Sequence, residues 1–290
     1  MRRACIDIGS NTTRLLVADL EDGRLVEVHQ ERAFTRVGRA MCPDGTIAAS
    51  KLNEVVEVVA AQFGVAREHG ATQVRGVATE AIRRAANRSA LIDAIQGACG
   101  LEVEVLSCQD EARLAFVGAA GTLGRMPDGE LGVVDVGGGS TELVIGTPPG
   151  RVRWSTSFGL GSGNLTDRCI GSDPPTAAEV AHARAEVAAA VAGLDVPSPG
   201  EAVAVGGSAT SLRRVAGPRL DAESVASSLR LVATERASVI ASRFAIDLER
   251  VRLLTAGLLL LETASRLFGG ALEIGFGGIR EGVLLEAARA

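Results

Sequence analysis

The chain has no tyrosine, one tryptophan and a single lysine, Lys51, and only 3% of its residues are aromatic. Few flat side chains are left to stack on exposed bases, and a formal charge of −5 removes the broad basic surface of a general nucleic-acid binder. Long apolar runs are missing too. The most apolar stretch, Leu253 to Leu261, is far shorter than the roughly 20 residues of a membrane span, so no membrane partner is expected. The opening MRRACIDIG enters a strand-like run without a hydrophobic leader. Cys5, Cys42, Cys99, Cys108 and Cys169 contain no CxxC, which argues against a zinc site or a disulfide framework and suits a reducing cytoplasm. His29, His69 and His182 are scattered, HExxH is absent and so is GxSxG, which leaves zinc-protease and serine-hydrolase chemistry without a motif.

What is present is an ordinary core composition, 47% hydrophobic over 290 residues, enough for two domains of roughly 100–200 residues each. An internal repeat organises it. ACIDIGSNTTRLLVADLEDGRLVE from Ala4 aligns with GVVDVGGGSTELVIGTPPGRVRW from Gly132, matching Asp7 with Asp135, Gly9 with Gly137, Thr13 with Thr141 and Leu15 with Leu143. After GGGST the apolar run ELVIG is broken by TPPG, too soon for a helix, so each glycine turn joins two strands as a hairpin. Neither a Walker loop nor a Rossmann fingerprint fits, because both lead into a helix. Strand-like and helical stretches then follow in each half, including helices over 48–69, 110–120 and 176–192. The expectation is an α/β protein with two lobes, 1–123 and 124–290.

Three stretches of small residues, Gly9 to Thr13, Gly137 to Thr141 and Gly206 to Ser208, read as loops able to turn backbone N–H groups toward an anion. Asp7 and Asp135 end apolar strands just before the glycines, and Glu142 follows the second turn. These carboxylates suit Mg²⁺ with phosphate oxygens, with Asp7 as a further candidate ligand; an Asx-type turn cap is the alternative for either aspartate. Glu80, Arg83, Arg84 and Asn87 fall near a helix start, where an arginine serves either a phosphate or a solvated face. Asp110 and Glu111 open the next helix, a place where acids commonly just favour the dipole.

DIGSNTTRLL, ATEAIRRAAN, SCQDEARL, DVGGGSTEL, AVGGSATSL and GGIREG occur in an order that resembles the exopolyphosphatase and guanosine pentaphosphate phosphatase family over essentially the whole chain. The resemblance implies a duplicated actin-like fold, that of the sugar kinase, heat-shock chaperone ATPase and actin superfamily, with two lobes around a phosphate cleft. It implies that Glu111 is the general base, that Asp135 and Glu142 are associated with Mg²⁺, and that Gly9, Ser10, Asn11, Gly137, Gly138, Gly139, Ser140, Gly207 and Ser208 contact phosphate. Arg83, rather than Arg84, matches the motif arginine. Arg14, which stands where the second copy has Glu142, joins the phosphate-binding set, and Arg280 and Glu281 match the closing pattern. The implied activity is Mg²⁺-dependent hydrolysis of inorganic polyphosphate by a cytoplasmic homodimer. Removal of the 5′ terminal phosphate of pppGpp is the alternative, followed by an actin-fold small-molecule kinase or a nucleotide-gated interaction protein. Cys108, Asp110 and Ser208 depart from the family motifs, and the chain resembles a short form without the additional C-terminal helical domain of many relatives.

Overall fold

A computed structural model describes residues 1–288, which form two compact units. The first opens on an antiparallel meander, β1 (Arg2–Ile8), β2 (Thr13–Glu21) and β3 (Arg24–Ala33). Helix α1 (Ala49–Glu68) crosses over to β4 (Gln73–Ala78), which lies parallel to β1; α2 (Glu80–Arg84) and α3 (Arg88–Cys99) lead to β5 (Val103–Val105), parallel to β4. The sheet order is β3-β2-β1-β4-β5. Strand periodicity of two sorts β1 between two cores: Ala4, Ile6 and Ile8 pack with Val55 and Val59 of α1, whereas Cys5 joins Leu16, Val77 and Leu114 of α4 (Cys108–Thr122). Asp7 therefore shares the α4 face of its strand.

The second unit repeats the meander as β6 (Leu131–Val136), β7 (Thr141–Thr147) and β8 (Arg151–Phe158). Helices α5 (Ser162–Cys169) and α6 (Ala177–Ala190) carry the chain to β9 (Glu201–Val205), parallel to β6. Then come α7 (Gly206–Ala216), β10 (Arg219–Leu220), α8 (Ala222–Thr234), α9 (Ala237–Phe244), α10 (Leu248–Val251), α11 (Leu254–Phe268) and β11 (Leu272–Ile274), giving the order β10-β11-β9-β6-β7-β8. A three-stranded antiparallel meander followed by a helical crossover to a strand parallel to the first thus occurs twice, in agreement with the α/β class and the duplication expected from the repeat. Helix α11 is buried on nearly every face, so the apolar stretch Val251 to Phe268 is core. No helix among the described residues is long and apolar enough to cross a membrane.

The units do not follow a single cut at 123/124. The chain leaves the first unit at Thr122 and re-enters it at Gly277, where α12 (Ile279–Ala287) packs on α4. Small residues at the crossing explain this return. A methyl at Gly118 would overlap the Gly278 carbonyl and come 2.9 Å from the Gly282 nitrogen, so the two backbones meet only where side chains are absent.

Candidate functional site

In the first unit, the turn between β1 and β2 closes with Gly9 N–H donating to Thr12 O (3.0 Å), and the segment after β3 grips it, Gly38 N–H to Ser10 O (2.8 Å) and Arg36 N–H to Asn11 O (3.0 Å). Ser10 Oγ donates to Glu80 Oε2 (3.1 Å), a buried carboxylate that also accepts from Arg84 Nη1 (2.8 Å). This fixes the loop to the helix that carries Arg83. Asn87 turns away, exchanging hydrogen bonds of 2.9 Å with the Ile47 main chain.

Helix α4 separates the roles of two adjacent acids. Ser107 caps it: Asp110 N–H donates to Ser107 Oγ (3.1 Å), and that hydroxyl donates to Asp110 Oδ2 (2.6 Å), holding the Asp110 carboxyl below the ordinary range. Glu111, one residue on, is 2% exposed and forms an ion pair with Arg83 Nη1, which also donates to Leu106 O (2.7 Å). Two expected site residues are therefore joined directly.

Asp7 lies directly across from Arg14 in the β1–β2 register. Its Oδ1 is sealed from solvent with no hydrogen bond among the described residues, and burial pushes its carboxyl up while Arg14 and then Arg280 pull it down. Arg280, delivered by α12, is buried and donates to Leu15 O (2.9 Å).

In the second unit Asp135 and Glu142 occupy the positions of Asp7 and Arg14, and are directly opposed in the β6–β7 register. Both are buried, and Ser157 Oγ donates to Glu142 Oε1 (2.8 Å). No set of three or more metal-ligating side chains is gathered among the described residues. Two hard carboxylates nevertheless fit Mg²⁺, which takes one or two protein carboxylates alongside phosphate oxygens and water. Asp7, faced by an arginine, does not offer this donor set.

Gly206 to Ser208 correct an expectation. This stretch is the first turn of α7, not a third loop. Gly206, at φ +85°, turns β9 straight into the helix, and Thr210 Oγ1 and Ser211 Oγ return to the carbonyls of Gly206 (3.0 Å) and Gly207 (2.9 Å). The β6–β9 register puts Val205 beside Asp135, and a methyl on Gly206 would overlap Asp135 Oδ1. Ser208 is buried, so close to Gly257 that a methyl there would come 3.0 Å from its Cβ. The guanidinium of Arg250 lies over Gly207, a neighbour that no sequence motif announced.

Sequence reading also missed the support of the glycine turn at 137–140, which comes from the first residues of α5. Ser162 N–H donates to Gly137 O (2.9 Å), Gly163 N–H to Gly138 O (2.9 Å) and Asn164 Nδ2 to Gly139 O (2.8 Å). The small-residue string GLGSGN was the available signal, and it reads as a featureless loop.

A model of the Ppx/GppA phosphatase family matches residues 16–290. Exopolyphosphatase 2 of Mycobacterium tuberculosis is 39% identical over 192 residues, 63% of this chain and 59% of the relative, so the chain spans about three fifths of that relative's length. Exopolyphosphatase 1 of the same organism is 29% identical over 307 residues, covering 98% of this chain and 88% of the relative. The crystal structure of the Aquifex aeolicus member of the Ppx/GppA protein family is similar with a TM-score of 0.84 at 29% identity, covering 100% of this chain and 98% of that one.

Proposed function

The chain belongs to the Ppx/GppA phosphatase family, and from that premise we propose that it is an exopolyphosphatase, hydrolysing the terminal phosphoanhydride of inorganic polyphosphate to release orthophosphate. The observation that carries this reading is the ion pair of buried Glu111 with half-buried Arg83. Two relatives named exopolyphosphatase support the substrate class.

Hydrolysis forms a bond from water oxygen to the terminal phosphorus and breaks the bridging P–O bond, with the shortened chain leaving as an anion. The proton released by water needs an acceptor at hand. Glu111 takes that role, and its burial keeps bulk water from competing with the attacking molecule. Arg83, anchored on Leu106 O, aligns the terminal phosphate beside this carboxylate and offsets charge on its oxygens. The backbone N–H groups of the glycine turn between β1 and β2 in the same unit add donors. Asp135 and Glu142 would hold Mg²⁺, whose contribution when bound is to neutralise phosphate charge.

The test is orthophosphate release from short polyphosphate, long polyphosphate and pppGpp, each with and without Mg²⁺, beside incubations of ATP with candidate acceptors followed for ADP. Release from polyphosphate that requires Mg²⁺ is expected. Release from pppGpp alone would transfer the activity to that substrate, and acceptor-dependent ADP formation would replace hydrolysis by a kinase reaction.

A further inference from the structure

Three successive carbonyls of the turn between β6 and β7 are taken by the start of α5. Gly137 O accepts from Ser162 N–H (2.9 Å) and Ser162 Oγ (3.1 Å), Gly138 O from Gly163 N–H (2.9 Å) and Asn164 N–H (3.1 Å), and Gly139 O from Asn164 Nδ2 (2.8 Å). In a planar trans peptide the N–H points opposite to the C=O it is bonded through. Fixing three successive carbonyls on α5 therefore sends the N–H groups of Gly138, Gly139 and Ser140 out of the opposite side of the turn. None of the three donates to a backbone acceptor among the described residues, whereas Gly137 N–H is used to close the turn on Ser140 O (3.0 Å).

The first unit contains the same device built from different parts. There Gly9 N–H closes on Thr12 O, and the carbonyls of Ser10 and Asn11 are taken by Gly38 and Arg36 of the segment that follows the third strand. Two independently built copies thus hold the turn by its carbonyls, and in neither do the N–H groups beyond the closing one donate to a backbone acceptor among the described residues. In the second copy a side chain takes part as well. Asn164 has a single amide orientation available, because Oδ1 accepts from Gly161 N–H (2.7 Å) while Nδ2 faces the carbonyls of Gly139 and Gly159 (2.8 and 3.2 Å). The approach is close enough that a methyl at Gly161 would come 2.6 Å from Gly138 C and Gly139 N.

We propose that Asn164 is a positioning residue that presets the Gly139–Ser140 peptide, so that three consecutive N–H groups are aimed at a phosphate before substrate arrives. The inference rests on the exopolyphosphatase reading for the identity of the anion, but the geometry calls only for a phosphate group. A cradle set in advance loses no binding free energy to reorganisation, the condition under which fixed donors stabilise developing charge best.

Asn164→Asp tests this, because it keeps the acceptor for Gly161 N–H and sets a carboxylate oxygen against two carbonyls, driving the Gly139–Ser140 peptide to rotate. We expect tripolyphosphate affinity, measured calorimetrically in EDTA, to fall about tenfold, and kcat to fall about 10²-fold as for loss of one preorganised donor. The melting temperature and circular dichroism of the variant are read alongside. Wild-type affinity and turnover in a folded Asn164→Asp protein would overturn the proposal while leaving the exopolyphosphatase reading intact. A wild-type protein that releases phosphate from no substrate, yet binds tripolyphosphate more tightly than the variant, would retain the proposal and remove that reading. Glycine-selective ¹⁵N labelling of the wild type covers the case of a variant that does not fold. Added tripolyphosphate should shift the amide resonances of Gly138 and Gly139 and spare Gly137, and unmoved Gly138 and Gly139 signals would overturn the proposal.

Discussion

Gly206→Ala separates backbone strain from disturbance of the carboxylate pair. Gly206 has φ +85°, and Gly217, at the far end of the same helix, also has φ +85° but nothing within 4 Å of an added methyl. Alanine at either position adopts a conformation that costs a non-glycine residue about 1–3 kcal/mol, and each kcal/mol lowers melting by roughly 2–4 °C in a chain of this size class. At Gly206 the methyl also falls inside the contact radius of Asp135 Oδ1 and 3.4 Å from its Cγ. Relief requires the carboxylate to move by about 1 Å, a misplacement that costs on the order of 10²-fold in rate when the group is part of the reaction geometry. Orthophosphate release should be followed against Mg²⁺ concentration for both variants, with melting curves in parallel. Both should melt lower than wild type, and only Gly206→Ala should lose about 10²-fold in rate and need more Mg²⁺. Equal activity in the two variants, or an unmoved Mg²⁺ requirement in Gly206→Ala, would refute Asp135 as a metal-site residue.

Glu111→Gln should reduce turnover by about 10²–10⁴-fold, the usual contribution of a general base, with tripolyphosphate affinity retained in calorimetry; unchanged turnover would remove Glu111 from the reaction. Arg83→Lys keeps the charge but is shorter and lacks the planar guanidinium whose Nη1 serves both Leu106 O and Glu111, so KM should rise and kcat should fall, each roughly tenfold, whereas an arginine that only binds phosphate would change KM alone. For Asp7 the sign follows from burial, which holds its carboxyl above the ordinary range. Its contribution is favourable below the unfolded value and is lost as pH rises through the raised one. Asp7→Asn should therefore melt above wild type at pH 7 in thermal scans, and the two proteins should converge below about pH 4; a variant less stable at pH 7 would contradict this.

Periodicity and repeats made the hairpins, the long helices and the α/β class legible, because these depend on residues close together in sequence. The two glycine turns were legible for the same reason. Contacts between distant segments were not. Nothing in Ile279 to Ala287 says that it returns to α4; that depends on Gly118 and Gly282 meeting across the crossing. Gly206 to Ser208 read as a loop because two adjacent glycines disfavour a helix, a local preference outweighed where β9 runs directly into α7. Adjacent acids pose a similar limit. Spacing alone could not tell Asp110 from Glu111, since the distinction lies in which one faces Ser107 and which one faces Arg83.

The divergence between the two copies was visible in the aligned repeat, and the register gives it physical meaning. An aspartate ends the first strand of each hairpin, and the residue directly across the ladder is Arg14 in one and Glu142 in the other. With arginine opposite, the aspartate already faces a positive charge, and a second cation would be repelled. With glutamate opposite, two buried carboxylates lie across the ladder from each other, a hard donor set that suits a divalent ion. One substitution on a shared hairpin therefore separates a turn with an arginine across the ladder from a candidate metal site. It follows that Glu142, more than either aspartate, distinguishes the second copy.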